Sequence, residues 1–61
     1  MPFITVKALE GRSTEQKRGL VRDITEAVVR NFQVKPEDVS VDIIEYRRED
    51  MASGGKLYSD R

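Results

Sequence analysis

The residue types that this chain lacks restrict the chemistry it could perform. Its 61 residues include no His and no Cys. Their absence excludes a Ser-His-Asp triad, a thiol nucleophile, a zinc finger and a thiol redox motif. The groups that remain available are carboxylates, lysines, tyrosines, hydroxyls and the amino terminus. We therefore expect chemistry without a metal or a cofactor.

The amino terminus offers one unusual group. Pro2 follows Met1, and an initiator Met is normally removed before a small residue such as Pro, which would leave a secondary amine. An α-amino group titrates at about 7.7–8.0, and burial or a nearby Arg lowers its pKa by disfavouring the charged form. An amine poised near neutral pH suits general base catalysis. A Met-Pro start alone is common, and with Met1 attached the Pro2 nitrogen is a non-basic amide.

The first half of the chain predicts a strand followed by a helix. Residues 3–9 are β-branched and aromatic at their start, and they alternate in polarity, as a strand does. Ser13 and Gln16 fit the N-cap and N3 positions of a capping box. The apolar repeat that follows predicts an amphipathic helix over about 14–33. We expect Pro36 to end this helix by restricting the residue before it.

Inside the helix, Gly19 would cost up to about 1 kcal/mol relative to Ala. Close packing of the helix against the sheet is the structural explanation that we expect for it.

The second half predicts another strand and a small hairpin. Residues 39–46 alternate in polarity, and the Gly54-Gly55 pair could turn a hairpin near the carboxyl end. Two strands joined through a helix form a βαβ unit, in which the strands pair in parallel through a right-handed crossover. The predicted fold class is α/β (α+β): residues 1–61 form one domain, a single βαβ unit with a short hairpin.

Composition predicts self-association. One helix covers one sheet face, and no further sequence remains to cover the other face. A chain this short has no disulfide to stabilise it, so a second copy of the chain is the expected cover.

Eleven basic and eleven acidic residues give a formal net charge of zero, which argues against a nucleic-acid partner. Apolar runs are too short for a membrane span or a signal peptide, and a cytoplasmic location is expected.

Several segments taken together resemble the 4-oxalocrotonate tautomerase family. The resemblance rests mainly on two segments: the Met-Pro-Phe-Ile-Thr-Val-Lys start and the Leu-Glu-Gly-Arg-Ser-Thr-Glu-Gln-Lys segment at 9–17. Ile43, Glu45 and the paired glycines also lie where family members have similar residues. The resemblance covers essentially the whole chain.

The resemblance implies a function and two central residues. Family members are short βαβ subunits that commonly assemble as hexamers. They interconvert the enol and keto forms of unsaturated 2-hydroxy and 2-oxo acids, as in aromatic degradation. Their amino-terminal proline is the general base, which corresponds to Pro2. Their loop arginine binds a substrate carboxylate, often from a neighbouring subunit, and corresponds to Arg12. A planar guanidinium matches a carboxylate well.

Two positions depart from the family pattern. Ser40 stands where well-known members carry a second substrate-binding arginine, and Met51 stands where they carry an aromatic wall. Because serine carries no charge, the second carboxylate of a dicarboxylate substrate would lose a charge-assisted hydrogen bond here. The loss of such a bond costs about 1.5–3 kcal/mol. A monocarboxylate would need only Arg12. Met51 can still form an apolar wall.

Another cation could replace the missing arginine. Arg48 is the substrate-binding candidate among the other cations, whereas Arg47 and Lys7 are expected to be solvated surface charges.

A second hypothesis is a non-catalytic or partner subunit of a hetero-oligomeric tautomerase. Such a subunit could tolerate the loss of an arginine.

Overall fold

A parallel two-stranded sheet forms the centre of the molecule. The computed structural model describes residues 1–61, in which β1 spans Phe3–Leu9 and β2 spans Ser40–Tyr46. The two strands pair in parallel along their whole length, from Phe3 opposite Ser40 to Leu9 opposite Tyr46. This register puts alternate residues on opposite faces of the sheet. The predicted βαβ unit is confirmed, and β2 begins one residue later than expected.

One amphipathic helix, α1, joins the strands and spans Thr14–Phe32. Its start is the predicted capping box: the Gln16 backbone N–H donates to Ser13 Oγ at 3.1 Å, and the Ser13 N–H donates to Gln16 Oε1 at 2.9 Å. These bonds satisfy two of the backbone donors that a helix start leaves free.

The explanation for the end of α1 was wrong. The helix ends at Phe32, and Gln33 adopts the left-handed conformation with φ 57°. Its backbone N–H donates to the Val29 carbonyl at 3.0 Å, which closes the helix. Pro36 begins a separate 3-10 turn, Pro36–Asp38, so it lies beyond the helix end.

Gly19 does not pack against the sheet of its own chain. A β-carbon at this position would meet only a guanidinium nitrogen of Arg22, at 3.7 Å. The expected tight contact between helix and sheet is therefore absent at this point of the chain.

The predicted hairpin follows a short turn. Arg48–Asp50 form a 3-10 turn, after which β3 (Ala52–Ser53) pairs antiparallel with β4 (Lys56–Leu57). Gly54 and Gly55 connect the two strands with φ 60° and 80°, a conformation that glycine adopts without steric cost. The Tyr58 backbone N–H donates to the Met51 carbonyl at 2.8 Å, which fastens the end of the hairpin to its beginning.

The chain by itself has no buried core. None of the 61 residues is buried, and the dimensions are 43 × 23 × 13 Å. The radius of gyration is 14.7 Å, whereas a compact chain of this length has about 10.5 Å. Its accessible surface is 4788 Å², against about 4,000 Å² for a folded monomer of this mass. The fold is thus an open layer with too little burial of its own.

The uncovered apolar surface lies on the sheet face opposite α1. Phe3 is 74% exposed and Ile44 is 41% exposed on that face, while Ile4, Val6 and Ile43 lie on the face that α1 partly covers. No helix is both long enough and apolar enough to span a bilayer.

Candidate active site

Pro2 lies at the beginning of β1, beside Ser40. The Ser40 backbone N–H donates to the Pro2 carbonyl oxygen at 3.0 Å, which extends the parallel ladder to the amino end. Pro2 is partly buried and shares a shallow depression with Met1, Phe32 and Val34. Met1 itself is 75% exposed. The strand therefore fixes Pro2 in an apolar setting, with Met1 accessible for removal.

Arg12 lies at the other end of the same strand. Its Nη1 donates to the Leu9 carbonyl oxygen at 3.0 Å. Gly11, with φ 124°, makes the bend that carries the chain from β1 to α1 and directs Arg12 back along the strand end. The Glu10 backbone N–H donates to the Tyr46 carbonyl at 2.9 Å, so this loop is fastened to β2.

Met51 also lies at this second end. It lines an open depression of about 440 Å³ with aromatic, aliphatic and basic neighbours: Lys7, Ala8, Leu9, Tyr46 and Tyr58. The hairpin brings Met51 and Tyr58 over the ends of β1 and β2. Apart from Lys7, every residue that lines the depression is apolar or aromatic, as an apolar wall requires.

The arginines after β2 differ in their surroundings. Arg47 forms ion pairs with Glu49 and Asp50, both at 2.9 Å. Arg47 Nε donates a hydrogen bond to Asp50 Oδ2, and this bond, together with the negative charge of Asp50, raises the pKa of Arg47. Arg48 has no such partner, but it lines none of the depressions of the chain. The structure therefore does not bring Arg48 to the wall formed by Met51.

A cluster of charged side chains lies under α1 next to Arg12. Lys17 Nζ contacts Glu45 Oε1 at 2.5 Å, and both side chains are about one-third exposed (32% each). With Arg12 and apolar residues of the sheet they line a small pocket. This ion pair connects α1 to β2 and neutralises the charge of Lys17. Arg12 is therefore the cation of this pocket that has no carboxylate partner.

Two groups of predicted site residues thus lie at opposite ends of one sheet. Pro2 and Ser40 are at one end, and Arg12 and Met51 are at the other. At roughly 3.3 Å per residue, the seven steps from Pro2 to Leu9 span about 23 Å. Arg12 reaches the Leu9 carbonyl and no farther toward Pro2. One chain cannot bring both groups onto one small substrate.

The fold is that of a small βαβ subunit, with Pro2 next to the beginning of its first strand. Residues 2–61 match the model of the family described as tautomerase enzyme, and the chain belongs to this family. Its relatives are named as tautomerases, so it is a 4-oxalocrotonate tautomerase-like enzyme of the isomerase type.

Individual relatives match over the full length. A 2-hydroxymuconate tautomerase from Bacillus subtilis is 48% identical over 60 residues, which cover 98% of this chain and 97% of that protein. The crystal structure of one 4-oxalocrotonate tautomerase homologue superposes with a TM-score of 0.95, at 44% identity, covering 100% of this chain and 97% of the other.

A heterohexameric 4-oxalocrotonate tautomerase from Chloroflexus aurantiacus matches with a TM-score of 0.90, at 33% identity, covering 98% and 97% of the two chains. The predicted family and fold are confirmed.

Sequence reasoning did not place Lys7 or Tyr58 beside Met51. Lys7 was expected to be a solvated surface charge, and Tyr58 was assigned only to the hairpin. The alternation of β1 does put Lys7 on the same face as Leu9, which is a usable signal. The return of the hairpin over that face depends on contacts that are distant in sequence.

Proposed function

We propose that this protein is a cofactor-free tautomerase of unsaturated 2-hydroxy and 2-oxo acids, in which Pro2 is the general base and Arg12 binds a substrate carboxylate. The observation that carries the proposal is the chemical difference between the two sheet ends. One end holds Pro2 in an apolar depression, and the other end carries both Arg12, which forms no ion pair, and the apolar depression lined by Met51. A site that transfers a proton within a carboxylic acid needs both a base and a group that binds the carboxylate.

In this proposal the reaction is a relocation of one proton. The neutral amine of Pro2 accepts the proton of the enol hydroxyl, and the resulting ammonium returns a proton to a carbon of the conjugated chain, which gives the ketone. Arg12 holds the carboxylate with paired N–H donors and draws electron density toward it. Met51 excludes water, and Ser40 offers its hydroxyl next to Pro2. Removal of Met1 is required, because an amide nitrogen is not a base.

The proposed site is assembled from different chains. The separation of about 23 Å between Pro2 and the Arg12 end excludes a site within one subunit. A symmetric assembly that joins the beginning of one sheet to the end of another solves this, and it covers the exposed face with Phe3 and Ile44. We infer self-association, with a homohexamer as the proposed state, in keeping with the heterohexameric relative.

The second candidate function is that of a partner subunit. The heterohexamer from Chloroflexus aurantiacus is 33% identical to this chain, and Ser40 supplies no positive charge beside Pro2. In that case the chain would gain activity only when it assembles with a different subunit.

An ultraviolet assay of enol ketonisation tests the proposal. Protein whose mass confirms the loss of Met1 is given 2-hydroxymuconate and, separately, phenylenolpyruvate. We expect turnover by the pure protein, and a loss of at least about 100-fold in protein that retains Met1, because its Pro2 nitrogen is an amide and general base catalysis contributes about 100- to 10,000-fold. Equal turnover with and without Met1 would rule out the role of the Pro2 amine. An inactive, well-assembled wild type would favour the partner subunit.

A further inference from the structure

We propose that Lys7 of one subunit forms an ion pair with Asp42 of the partner subunit, and that this pair determines how two copies of the chain align. The inference rests on the proposed function, because it takes the sheet face that α1 leaves uncovered as the surface on which copies meet. It names the two residues that make this surface complementary to itself.

The uncovered sheet face carries one positive and one negative charge. Lys7 lies opposite Ile44 and Asp42 lies opposite Thr5, so both charged residues are on the face away from α1. Polyanions and anionic membrane surfaces are attracted by an excess of positive charge, which this face lacks. A second copy of the same neutral face is the partner that fits. The remaining residues of the face are uncharged: Phe3, Thr5, Leu9, Ser40, Ile44 and Tyr46.

Neither charge is neutralised within its own chain. Lys7 and Asp42 are exposed and take part in none of the ion pairs. The Asp42 carboxylate accepts a hydrogen bond from Thr5 Oγ1 at 2.9 Å. Because a buried charge without a partner is strongly destabilising, a molecule that covers this face must supply an opposite charge to each of the two residues.

A second copy supplies both opposite charges at once. In an interface between two identical surfaces, a contact of residue i with residue j is repeated as a contact of j with i. A contact of Lys7 with Asp42 of the partner subunit therefore implies the reverse contact. Two ion pairs then form between the two copies, and neither charge is left without a partner.

The same contact brings the two ends of the proposed active site together. Lys7 lines the depression that contains Met51. Asp42 lies two residues, or about 7 Å, after Ser40 along β2, and the Ser40 backbone N–H donates to the Pro2 carbonyl oxygen. The proposed ion pair thus places the Pro2 end of one sheet near the Met51 end of another, as a site assembled from two chains requires.

Reversing each charge tests the pair through assembly, without turnover. Lys7→Glu gives the face two negative charges, and Asp42→Lys gives it two positive charges. For each variant alone, we expect the concentration at which the oligomer dissociates to rise at least about 10-fold, because like charges then meet across the interface. The two variants refolded together in equal amounts should dissociate at a concentration at least about 10-fold lower than either alone. Sedimentation over a dilution series measures these midpoints.

Two further variants complete the design. Arg18→Glu is the control, because it reverses a charge on the outer surface of α1, and it should shift the midpoint less than about 2-fold. The double variant Lys7→Glu/Asp42→Lys again has one charge of each sign and should assemble like the wild type. If a single variant does not fold alone, the mixture must still fold and assemble.

Unchanged midpoints in both single variants would overturn the inference, as would a mixture that assembles no better than its components. If the double variant assembles while the mixture does not, the two charges pair within one chain, which also overturns it. A wild type that is monomeric at every concentration would overturn both this inference and the proposed assembly. If the midpoints follow the expected pattern while the Met1-free wild type turns over no enol acid, the inference holds and the proposed activity fails.

Discussion

At the scale of single residues, the site depends on groups that become reactive through their position. In the proposed mechanism Pro2 becomes a base only after removal of Met1, and Pro2 lies in an apolar depression with Phe32 and Val34. The bend at Gly11 brings the Arg12 side chain to the Leu9 carbonyl oxygen, to which it donates a hydrogen bond. The Met-Pro start suggested Pro2, whereas Arg12 was singled out only by the family resemblance, which also supplied both roles.

Arg12 gives a prediction at this scale. Arg12→Gln removes the charge that binds the carboxylate, so kcat/KM for an enol acid should fall by about 10- to 100-fold, chiefly through KM. Arg12→Lys keeps the charge without the planar fork and should lie in between. Arg18→Gln is the control, because Arg18 pairs only with exposed Glu15 on the outer surface of α1. Equal activity of Arg12→Gln and Arg18→Gln in steady-state kinetics would contradict the assignment.

At the scale of elements, local signals predicted what local interactions determine. The capping box fixed the start of α1, the alternation of β1 and β2 gave both strands, and the glycine pair gave the hairpin turn. The end of α1 was predicted to within one residue, but its cause was missed, because glutamine carries no strong preference for the left-handed conformation that Gln33 adopts. The depression around Met51 was missed because it joins β1 to a hairpin more than 40 residues away, measured from Lys7 to Met51.

The end of α1 offers a stability prediction. A residue with a β-carbon is strained at φ 57°, whereas glycine is not. Gln33→Gly should therefore raise the free energy of unfolding by about 0.5–1 kcal/mol, after allowing for the greater freedom of glycine in the unfolded chain. Gln33→Ala retains the β-carbon and should give no gain. Denaturant unfolding at one fixed protomer concentration measures both, and a loss of stability in Gln33→Gly would refute the explanation.

At the scale of the whole molecule, the single chain is incomplete in two respects. It buries none of its residues, and it separates Pro2 from Arg12 by the length of a strand. Composition predicted the first deficit, since too few apolar residues were available to one short chain. The second follows from the topology, because Pro2 precedes β1 and Arg12 follows it. In the proposed assembly, association with other copies removes both deficits.

The uncovered face yields a prediction about assembly. Ile44 is 41% exposed in the single chain, and its burial between copies would contribute about 1.5–3 kcal/mol. Ile44→Gln should therefore raise the concentration at which the oligomer dissociates by about 10-fold or more, whereas Ile44→Val should change it little. Sedimentation over a dilution series gives these midpoints. Indistinguishable midpoints for both variants and the wild type would place the interface elsewhere.

The central claim is that Pro2 of one subunit acts with Arg12 of another, and mixing two defective variants tests it most directly. Protein that retains Met1 and the Met1-free variant Arg12→Gln are unfolded together in equal amounts, refolded into mixed oligomers and assayed for enol ketonisation at substrate concentrations well below KM. The Met1-retaining protein alone should be nearly inactive, and Arg12→Gln alone should keep at most about one tenth of the wild-type activity. In the mixture, random assembly should complete about one quarter of the sites, because each site draws its two residues from independently chosen chains. Activity near one quarter of the wild-type value is the predicted result. Mixed oligomers that stay as inactive as the separate variants would contradict the account.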